Sequence, residues 1–401
     1  MTDITETSTE MADPGEALFS AGVADNPTDT YRDLRQRCPV ARSTAPDMPS
    51  VYLFDYENVS WALRHPEVFS SEGEVLSIGQ EQPLIPVQVD PPQHTGYRRL
   101  LNRSFTPKRM TELEPDVRTL VGGLLDSFVD SGACDFHEQF ATPLPSTIFL
   151  RLMGMPQEDL PTFLGWRDDS VRPAVEPGDF EGAAAIRASA GKAISEYFQT
   201  AIDTARVAPG DGLISELVDA DFEGRPFDTD ELLGICHLML LGGLDTVTAT
   251  LDCMIVYLAQ HPERRRQLVD DPSLIPVAIE ELLRHQTPVM LVPRIVKTGL
   301  TMSGVELHPG EPAMLVIGAA NGDETVFDDP EEVDYSRDLN RHLAFGGGNH
   351  KCLGAHLARL ELRVALEEFH HRIPDYRLAD GAEIHFSPGI RQPDRLPLVW
   401  D

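Results

Sequence analysis

The sequence is poor in cysteine, in basic residues and in long apolar runs, and each shortage excludes a class of protein. The 5 cysteines are odd in number and form no Cys-x-x-Cys pair, so neither a disulfide framework nor a zinc ribbon is indicated. A reducing compartment fits this cysteine usage best. The 33 Lys and Arg residues are outnumbered by 65 Asp and Glu residues, and the net charge of -32 disfavours a nucleic-acid partner.

No segment has the pattern of a signal peptide or a membrane span. The stretch from Met1 to about Asn26 is acidic and polar, which predicts a poorly ordered segment over 1–26 rather than secretion. The most apolar stretch, 238–244, is interrupted by Asp245 well before the ~20 residues that a membrane span requires. We therefore expect a cytoplasmic protein that contacts no membrane. Residues 27–401 are expected to form one domain, because no repeat or long linker divides them.

Hydrophobic spacing predicts a mainly α fold with a small β portion. Apolar residues recur at helical spacing over 113–128 and over 353–364. A short strand is predicted over 50–54 and a hairpin over 300–307. Helical spacing dominates the rest of the chain.

The longest predicted helix crosses the whole domain. It begins near Asp228, where Glu231 completes a capping box, and it runs to about Gln260. Its Gly242-Gly243 pair costs the helix about 1 kcal/mol per residue relative to alanine. Two explanations of the glycines remain open. Either another helix packs closely against them, or the function of the protein requires open space there.

A glycine-rich segment delivers Cys352 to the start of a predicted amphipathic helix. Backbone N–H groups at such a position stabilise a thiolate and lower its pKa, although an isolated cysteine is more often a buried structural residue. The spacing changes this balance. Phe345, Gly348, Cys352 and Gly354 form the pattern Phe-x-x-Gly-x-x-x-Cys-x-Gly, which resembles the haem-ligand signature of the cytochrome P450 family.

The resemblance implies a single cytochrome P450-like domain with haem b between the long central helix and the cysteine loop. Cys352 is then the axial thiolate ligand of the iron. His350 is expected to face a haem propionate, and Phe345 to pack near the sulfur. The other residues that the resemblance places beside the haem in these two elements are Gly346, Gly354 and Gly242.

A second motif lies in the central helix. The string Gly242-Gly243-Leu244-Asp245-Thr246 resembles the oxygen-activation motif of the family. The resemblance implies that small side chains leave room for dioxygen, that Thr246 hydrogen-bonds to oxygen or to an ordered water, and that Asp245 relays protons from solvent. Without that resemblance, an Asp-Thr pair in a helix is usually a solvated face or a back-bonded side chain.

Two further motifs involve charged pairs one helical turn apart. Glu281 and Arg284 resemble the structural Glu-x-x-Arg pair of the family, with Arg337 as its third member, and predict a buried network that supports the cysteine loop. His94 and Arg98 resemble the contacts that the family makes with the haem propionates. An exposed helix face is the alternative for His94 and Arg98. Arg294 is expected to join them from a strand.

Together the motifs predict a soluble bacterial haem-thiolate monooxygenase that inserts one atom of O2 into a C–H bond of a small apolar substrate. The string at 242–247 and the C-terminal residues 396–401 resemble the camphor-hydroxylase branch, which favours a terpenoid, with steroids and aromatic compounds as alternatives. The loop 76–85 is predicted to form part of the pocket wall. The other predicted wall residues are Leu238, Leu241, Val289, Met290, Leu291, Val292 and Ile390.

The electron supply is expected to come from outside the chain. No flavin or nicotinamide signature is present, so the resemblance implies a ferredoxin and a ferredoxin reductase as partners. An acidic ferredoxin would dock on a basic patch near Cys352. The candidates for this patch are Arg99, Arg103, Lys108, Arg109, Lys351 and Arg359. The alternatives to this function are a peroxide-driven peroxygenase and a haem-free helical binding protein.

Overall fold

The prediction of a mainly α fold with a small β portion is confirmed in the computed structural model, which describes residues 13–20, 22–43, 49–73, 77–176 and 178–401. The helices of these residues follow the predicted apolar stripes, including those over 113–128 and 353–364. They are α1 (Pro14–Phe19), α2 (Thr28–Arg37), α3 (Tyr56–Ala62), α4 (Gln93–Leu101), α5 (Pro107–Asp126), α6 (Pro143–Met153), α7 (Leu160–Val171), α8 (Phe180–Val207), α9 (Leu213–Val218), α10 (Thr229–Leu244), α11 (Thr246–Gln260), α12 (Pro262–Asp270), α13 (Ile275–Gln286), α14 (Ile317–Ala320) and α15 (Ala355–Arg372).

The strands form a mixed sheet and two smaller units. They are β1 (Val40–Ser43), β2 (Ser50–Leu53), β3 (Phe69–Ser70), β4 (Ala133–Asp135), β5 (Val292–Val296), β6 (Leu300–Met302), β7 (Val305–Leu307), β8 (Pro312–Leu315), β9 (Arg377–Leu378) and β10 (Pro397–Val399). The larger sheet has the order β1-β2-β8-β5-β3, and the second has the order β4-β10-β9. β6 and β7 form the predicted hairpin. Because β5 lies between β8 and β3, Arg294 projects from a strand that is paired on both sides, opposite Ala313 of β8.

The predicted central helix is present but broken at Asp245 into α10 and α11. Both halves of the predicted capping box are made, since Asp228 accepts from the N–H of Glu231 and Glu231 accepts from the N–H of Asp228. The combined run Thr229–Gln260 is long and apolar enough to cross a membrane, yet 67% of its most apolar window is buried inside the protein. Such burial is what the core helix of a globular domain shows.

The described part of the segment predicted to be poorly ordered is folded. The side chain of Asp13 caps α1 by accepting from the N–H of Gly15, and Leu18 is buried in a cluster with Tyr31 and Tyr52. The prediction was based on the average composition of all 26 residues, and that average did not reveal the short apolar turn around Leu18. Residues 1–12 lie outside the described residues.

Glu281 joins three segments of the chain through the predicted buried network. Its carboxylate accepts from Arg284 at 2.8 and 2.9 Å, from Arg337 at 3.2 Å and from the side-chain amide of Asn340 at 2.9 Å. The other donors of Arg284 bond to backbone carbonyls of 321, 330 and 332. The network therefore fixes the chain immediately before the cysteine loop.

We expect Arg284→Met to destabilise the protein by about 3 kcal/mol, because it leaves the Glu281 carboxylate buried without its principal counter-charge. Denaturant unfolding monitored by far-UV circular dichroism measures this loss. Lys192→Ala is the matched control, because it breaks a helical pair with Glu196 that is exposed and 3.8 Å long. The control is expected to change stability by less than ~0.5 kcal/mol. Equal effects of the two substitutions would contradict the structural importance of the network.

Candidate active site

The cysteine loop is held by a backbone hydrogen bond and by a glycine at a close approach. The N–H of Cys352 donates to the carbonyl of Phe345 at 2.8 Å, just before α15 begins. Gly348 has φ +59°, and a Cβ there would lie 2.2 Å from the carbonyl oxygen of Leu63 at the end of α3. The glycine therefore lets the loop lie directly against the backbone that follows α3.

The Cys352 side chain is accessible although protein surrounds it. The residue has solvent-accessible surface, but the protein atoms around the sulfur desolvate its thiol and raise the pKa of that thiol. The N–H of Gly354 and the charges on Arg98, Arg359 and Lys351 act in the opposite direction and lower this pKa. A sulfur that faces an internal space rather than bulk solvent accounts for both observations. A metal cation in that space would hold the sulfur as a thiolate, because a coordinating thiol loses its proton.

Four predicted propionate ligands, which come from three separate segments, meet on one side of this space. The rings of His94 on α4 and His350 in the cysteine loop have centroids 4.2 Å apart. Burial, followed by the charges of Arg294, His94 and Arg98, lowers the pKa of His350 to about 3. The structure therefore brings together all four residues that the sequence assigned to the propionates.

These four side chains have few acceptors within the described residues. Both ring nitrogens of His94 and Nε2 of His350 lack a partner, and Arg294 donates only to the carbonyl of Pro293, at 2.7 Å. Burial lowers the pKa of Arg294 to about 10 and that of His94 to about 4. Buried donors of this kind are costly unless an anion satisfies them. The two carboxylates of a haem fit this set of donors.

Asp90 fixes the position of this cluster, a role that the sequence did not reveal. It is buried and accepts from the Ser70 hydroxyl at 2.6 Å and from the Ser71 N–H at 3.0 Å. Its carbonyl accepts from the N–H of His94 at 3.1 Å. Asp90 thus links the start of α4 to β3. The Asp90-Pro91-Pro92 run is the sequence feature that could have indicated this role.

One face of the otherwise buried central helix keeps accessible surface. Leu238, Gly242 and Thr246 lie on this face at intervals of four residues, and Leu241, three residues after Leu238, borders it; each of the four keeps accessible surface. A Cβ on Gly242 would meet nothing within 4 Å. This face therefore borders open space, and the close-packing explanation is wrong for Gly242.

The neighbouring Gly243 is explained by close packing rather than by a need for open space. A Cβ on Gly243 would lie 2.8 Å from the ring of Phe149 on α6. Close packing of a neighbouring helix therefore accounts for Gly243. The two adjacent glycines serve different purposes because they point in different directions from the helix axis.

Asp245 is an ion-paired carboxylate at the break in the central helix. It is fully buried, and its two oxygens accept from Arg172 at 2.7 and 3.1 Å. The Thr246 hydroxyl donates to the carbonyl of Gly242 at 2.9 Å. Arg172 follows α7 and precedes Asp245 by 73 residues, so no local spacing signalled this partner. Its side chain, 26% exposed, stands between Asp245 and solvent.

The structure places the predicted pocket residues of the 289–292 segment on different sides. Val289 pairs with Ile390 in an isolated antiparallel bridge. Met290 is only 1% exposed and belongs to the cluster that contains Tyr31, against which Leu291 also packs. The pocket prediction is therefore wrong for Met290, because its side chain is enclosed in that cluster. Val292 packs against the cluster of the larger sheet.

The loop before α4 rests on α8 and α10 through glycines. A Cβ on Gly79 would lie 1.8 Å from the carbonyl oxygen of Arg187, and one on Gly191 would lie 1.8 Å from the carbonyl oxygen of Gly79. A Cβ on Gly234 of α10 would likewise lie 2.4 Å from the carbonyl oxygen of Pro83, so the described part of the predicted loop wall contacts both α8 and the central helix. Leu76, also predicted as part of this wall, lies outside the described residues.

Comparisons with known proteins agree with this geometry. The family model described as Cytochrome P450 matches residues 180–372. A steroid C26-monooxygenase from Mycolicibacterium smegmatis is 36% identical over 376 residues, which cover 93% of this chain and 92% of that protein. A vitamin D(3) 25-hydroxylase from Pseudonocardia autotrophica is 35% identical over 407 residues, which cover 99% and 98% of the two chains.

Solved structures show the same similarity over most of the chain. CYP109E1 from Bacillus megaterium in complex with testosterone superposes with a TM-score of 0.88 at 30% identity, covering 97% of this chain and 99% of that one. A mutant of P450 EryK in complex with erythromycin B gives a TM-score of 0.87 at 30% identity, covering 95% and 98%.

We expect Arg294→Met to have opposite effects on the haem-free and haem-loaded protein. It removes a buried cation with one backbone acceptor, so the haem-free protein becomes more stable. It also removes charge-assisted hydrogen bonds to a propionate, which weakens haem retention about tenfold or more. Thermal unfolding of both forms and the rate of haem transfer to a scavenging apoprotein measure the two effects. Arg377→Met, at an exposed arginine, is the control, and a less stable haem-free Arg294→Met protein would contradict the assignment.

Proposed function

From the premise that the chain belongs to the cytochrome P450 family, we propose that this monooxygenase hydroxylates an apolar, steroid-sized substrate with electrons from a ferredoxin. Monooxygenase activity itself follows from the family and from the activities named for its relatives. Haem bound through a cysteine thiolate supplies the reductive activation of O2, because the thiolate favours cleavage of the O–O bond. One oxygen atom enters the substrate and the other leaves as water.

The observation that most supports this proposal is the convergence of donors around one internal space. Cys352 would ligate the iron, and the His94, Arg98, Arg294 and His350 cluster would hold the propionates. Phe345 would cover the sulfur, and the guanidinium of Arg359 lies 4.4 Å from its ring centroid. Gly346 and Gly354 would allow the loop to lie close beneath the cofactor.

Proton supply is proposed to involve both residues at the helix break. The Thr246 hydroxyl borders the open face of the central helix, where oxygen would be reduced, and can hold a proton at Oγ1. Asp245 would resupply that proton from the buried side. Its ion pair with Arg172 keeps Asp245 in place and restricts direct exchange with solvent.

The apolar walls support a substrate without charge. Leu238, Leu241, Val289 and Ile390 offer no hydrogen bond through their side chains, which disfavours sugars and charged metabolites. Relatives named for steroids and vitamin D(3), together with a neighbour solved with testosterone, support a steroid-sized ligand. A compact terpenoid, which the sequence favoured, is the second candidate class.

The predicted basic patch supports a ferredoxin partner only in part. Three of its members are engaged in ion pairs: Lys108 with Glu112, Arg109 with Glu216, and Arg359 with Glu280. The other three, Arg99, Arg103 and Lys351, are exposed and have no ion pair within the described residues. Unpaired cations near Cys352 would steer an acidic ferredoxin towards the haem. A cytoplasmic location remains a prediction.

The two alternative functions, a haem-free binding protein and a peroxide-driven peroxygenase, are opposed by different observations. A haem-free binding protein does not agree with membership of a haem-thiolate family. A peroxide-driven peroxygenase has no need of a proton supply, so Asp245 and Thr246 at the helix break favour oxygen as the oxidant. Turnover with ferredoxin and NAD(P)H, compared with turnover with peroxide, separates these two activities.

Optical titration tests the thiolate and the substrate class together. We expect a red-shifted Soret band in the reduced carbon monoxide complex, and testosterone to displace iron-bound water at lower concentration than camphor or benzoate. Leu241→Phe narrows the pocket and is expected to weaken steroid binding about tenfold, whereas Met290→Leu, outside the pocket, leaves it unchanged. An unshifted Soret band would exclude Cys352 as the ligand. Tighter binding of camphor would favour the terpenoid class.

Thr246→Ala is expected to lower the amount of product formed per NAD(P)H about tenfold, because a proton donor beside the oxygen is lost. The missing electrons are expected to appear as hydrogen peroxide. Thr246→Ser keeps a hydroxyl and is expected to retain most of the coupling. Asp245→Asn is expected to slow turnover and to raise the solvent deuterium isotope effect. Unchanged coupling in Thr246→Ala would contradict the proposed role.

A further inference from the structure

A second acid–base pair lies on the central helix, two turns after Asp245. Asp252 in α11 is fully buried, and its Oδ2 is 2.7 Å from Nδ1 of His137. His137 begins the π-helical segment His137–Ala141 before α6, and its side chain is 15% exposed. The pair therefore connects the protein surface to a carboxylate in the interior.

Asp245, Thr248 and Asp252 share one face of the central helix, since they are spaced by three and four residues. The two carboxylates are separated along the axis by ~10 Å, the rise of seven helical residues. Thr248 is buried between them, and its hydroxyl donates to the carbonyl of Ala141 at 3.0 Å. A polar group is therefore present at each turn between Asp245 and Asp252.

Two buried polar atoms near this face have no partner within the described residues. They are Oδ1 of Asp252 and Nη1 of Arg167. Arg167 lies on α7, and its Nε is 4.0 Å from Oδ1 of Asp245. Buried polar atoms are almost always satisfied by protein or by ordered water. Internal water between Asp252 and Asp245 would satisfy both atoms.

We infer that His137 and Asp252 conduct protons from solvent to Asp245 along this face of the central helix. The inference rests on the proposed relay role of Asp245. It explains how Asp245 is reprotonated while both of its oxygens accept from Arg172. A proton arriving from the Arg172 side has to break that bidentate pair, whereas the route through Asp252 leaves the pair intact.

The proton balance of the route is simple. His137 takes a proton from solvent at Nε2 and donates the proton on Nδ1 to Oδ2 of Asp252. The protonated carboxyl group of Asp252 then rotates so that its O–H faces the internal water, which carries that proton to Asp245. This leaves the neutral Nε2–H tautomer of His137. Rotation of the His137 side chain then brings Nδ1 to solvent, where it gains a proton while Nε2 loses one, which restores the Nδ1–H tautomer. No group is oxidised or reduced.

The charges around the pair decide how it titrates. Burial raises the pKa of Asp252 to about 6. Burial alone would lower the pKa of His137, but the hydrogen bond and charge of Asp252 outweigh it and raise that pKa. The other groups that face the pair are Asp135 before α6, which pairs with Arg395 at 3.1 Å, Arg167 on α7, Asp245, and the Thr142 hydroxyl, 3.4 Å from Nε2.

The first test titrates His137 directly by NMR in enzyme with 13C-labelled histidine. Asp252→Asn removes the partner charge, so the His137 transition is expected at lower pH than in the wild type. His385→Asn is the matched control, because exposed His385 pairs with Asp25 at 2.9 Å in another histidine–aspartate pair. The control is expected to leave the His137 transition unchanged. An unshifted transition in Asp252→Asn would overturn the coupling of the pair.

The second test measures oxygen-driven turnover of Asp252→Asn and His137→Asn. We expect kcat to fall about three- to tenfold, with a larger solvent deuterium isotope effect. The alkaline decline in kcat that follows deprotonation of His137 in the wild type is expected to disappear in both variants, because their remaining turnover no longer uses this route. Haem content and peroxide-driven turnover are expected to match the wild type, since peroxide brings its own protons. His137→Asn carries the test if Asp252→Asn does not fold.

The outcomes separate this route from the proposed function. Variants that lower only the unfolding temperature, with wild-type isotope effect and pH profile, would make the pair a structural clamp and overturn the inference. An effect in Asp245→Asn with none in Asp252→Asn would overturn the route alone. No effect in Asp245→Asn would overturn the proposed relay role of Asp245 itself.

Discussion

The geometry of the site depends on the hydrogen bonds and ion pairs of the buried carboxylate of Glu281. Burial would raise its pKa, but the hydrogen bond and charge of Arg284, with further donors, outweigh burial and lower it. Its donors come from α13 and from the chain that leads into the cysteine loop, where the N–H of Leu343 also bonds to Asn321 at 2.7 Å. A charge buried in this way is stable only when every partner is in place, so the network specifies one position for the loop that carries Cys352.

The other side of the loop has the opposite electrostatic character. Around Glu281 an anion is enclosed by donors, whereas the cluster of His94, Arg98, Arg294 and His350 presents donors that have few acceptors of their own. The first arrangement stabilises the fold without a ligand, while the second costs stability until an anionic ligand binds. Buried donors and cations with few partners are typical of functional sites, and here they lie close to the accessible sulfur of Cys352.

The break in the central helix lets its two faces perform different tasks. One face, ending at Thr246, is mostly apolar and borders open space at Gly242, where we propose that substrate and oxygen bind. The adjacent face carries Asp245, Thr248 and Asp252. It is held by Arg167 on α7, by Arg172 just after α7, and by the π-helical segment before α6. Because both faces meet at residues 245 and 246, a proton on the polar face would, in the proposed route, arrive within one residue of the proposed site of oxidation.

The sequence by itself determined the elements and residues that local spacing encodes. Helix faces, the capping box at Asp228, the hairpin at 300–307 and the loop that brings Cys352 to the start of α15 depend on neighbours a few residues apart, and these predictions hold in the structure. Only the tertiary structure decided that Asp245 pairs with Arg172 and that Met290 packs away from the pocket. The physical reason is that such partners are distant in the chain. Which side chains meet depends on how helices and strands pack, and a single sequence does not encode that packing in its local pattern.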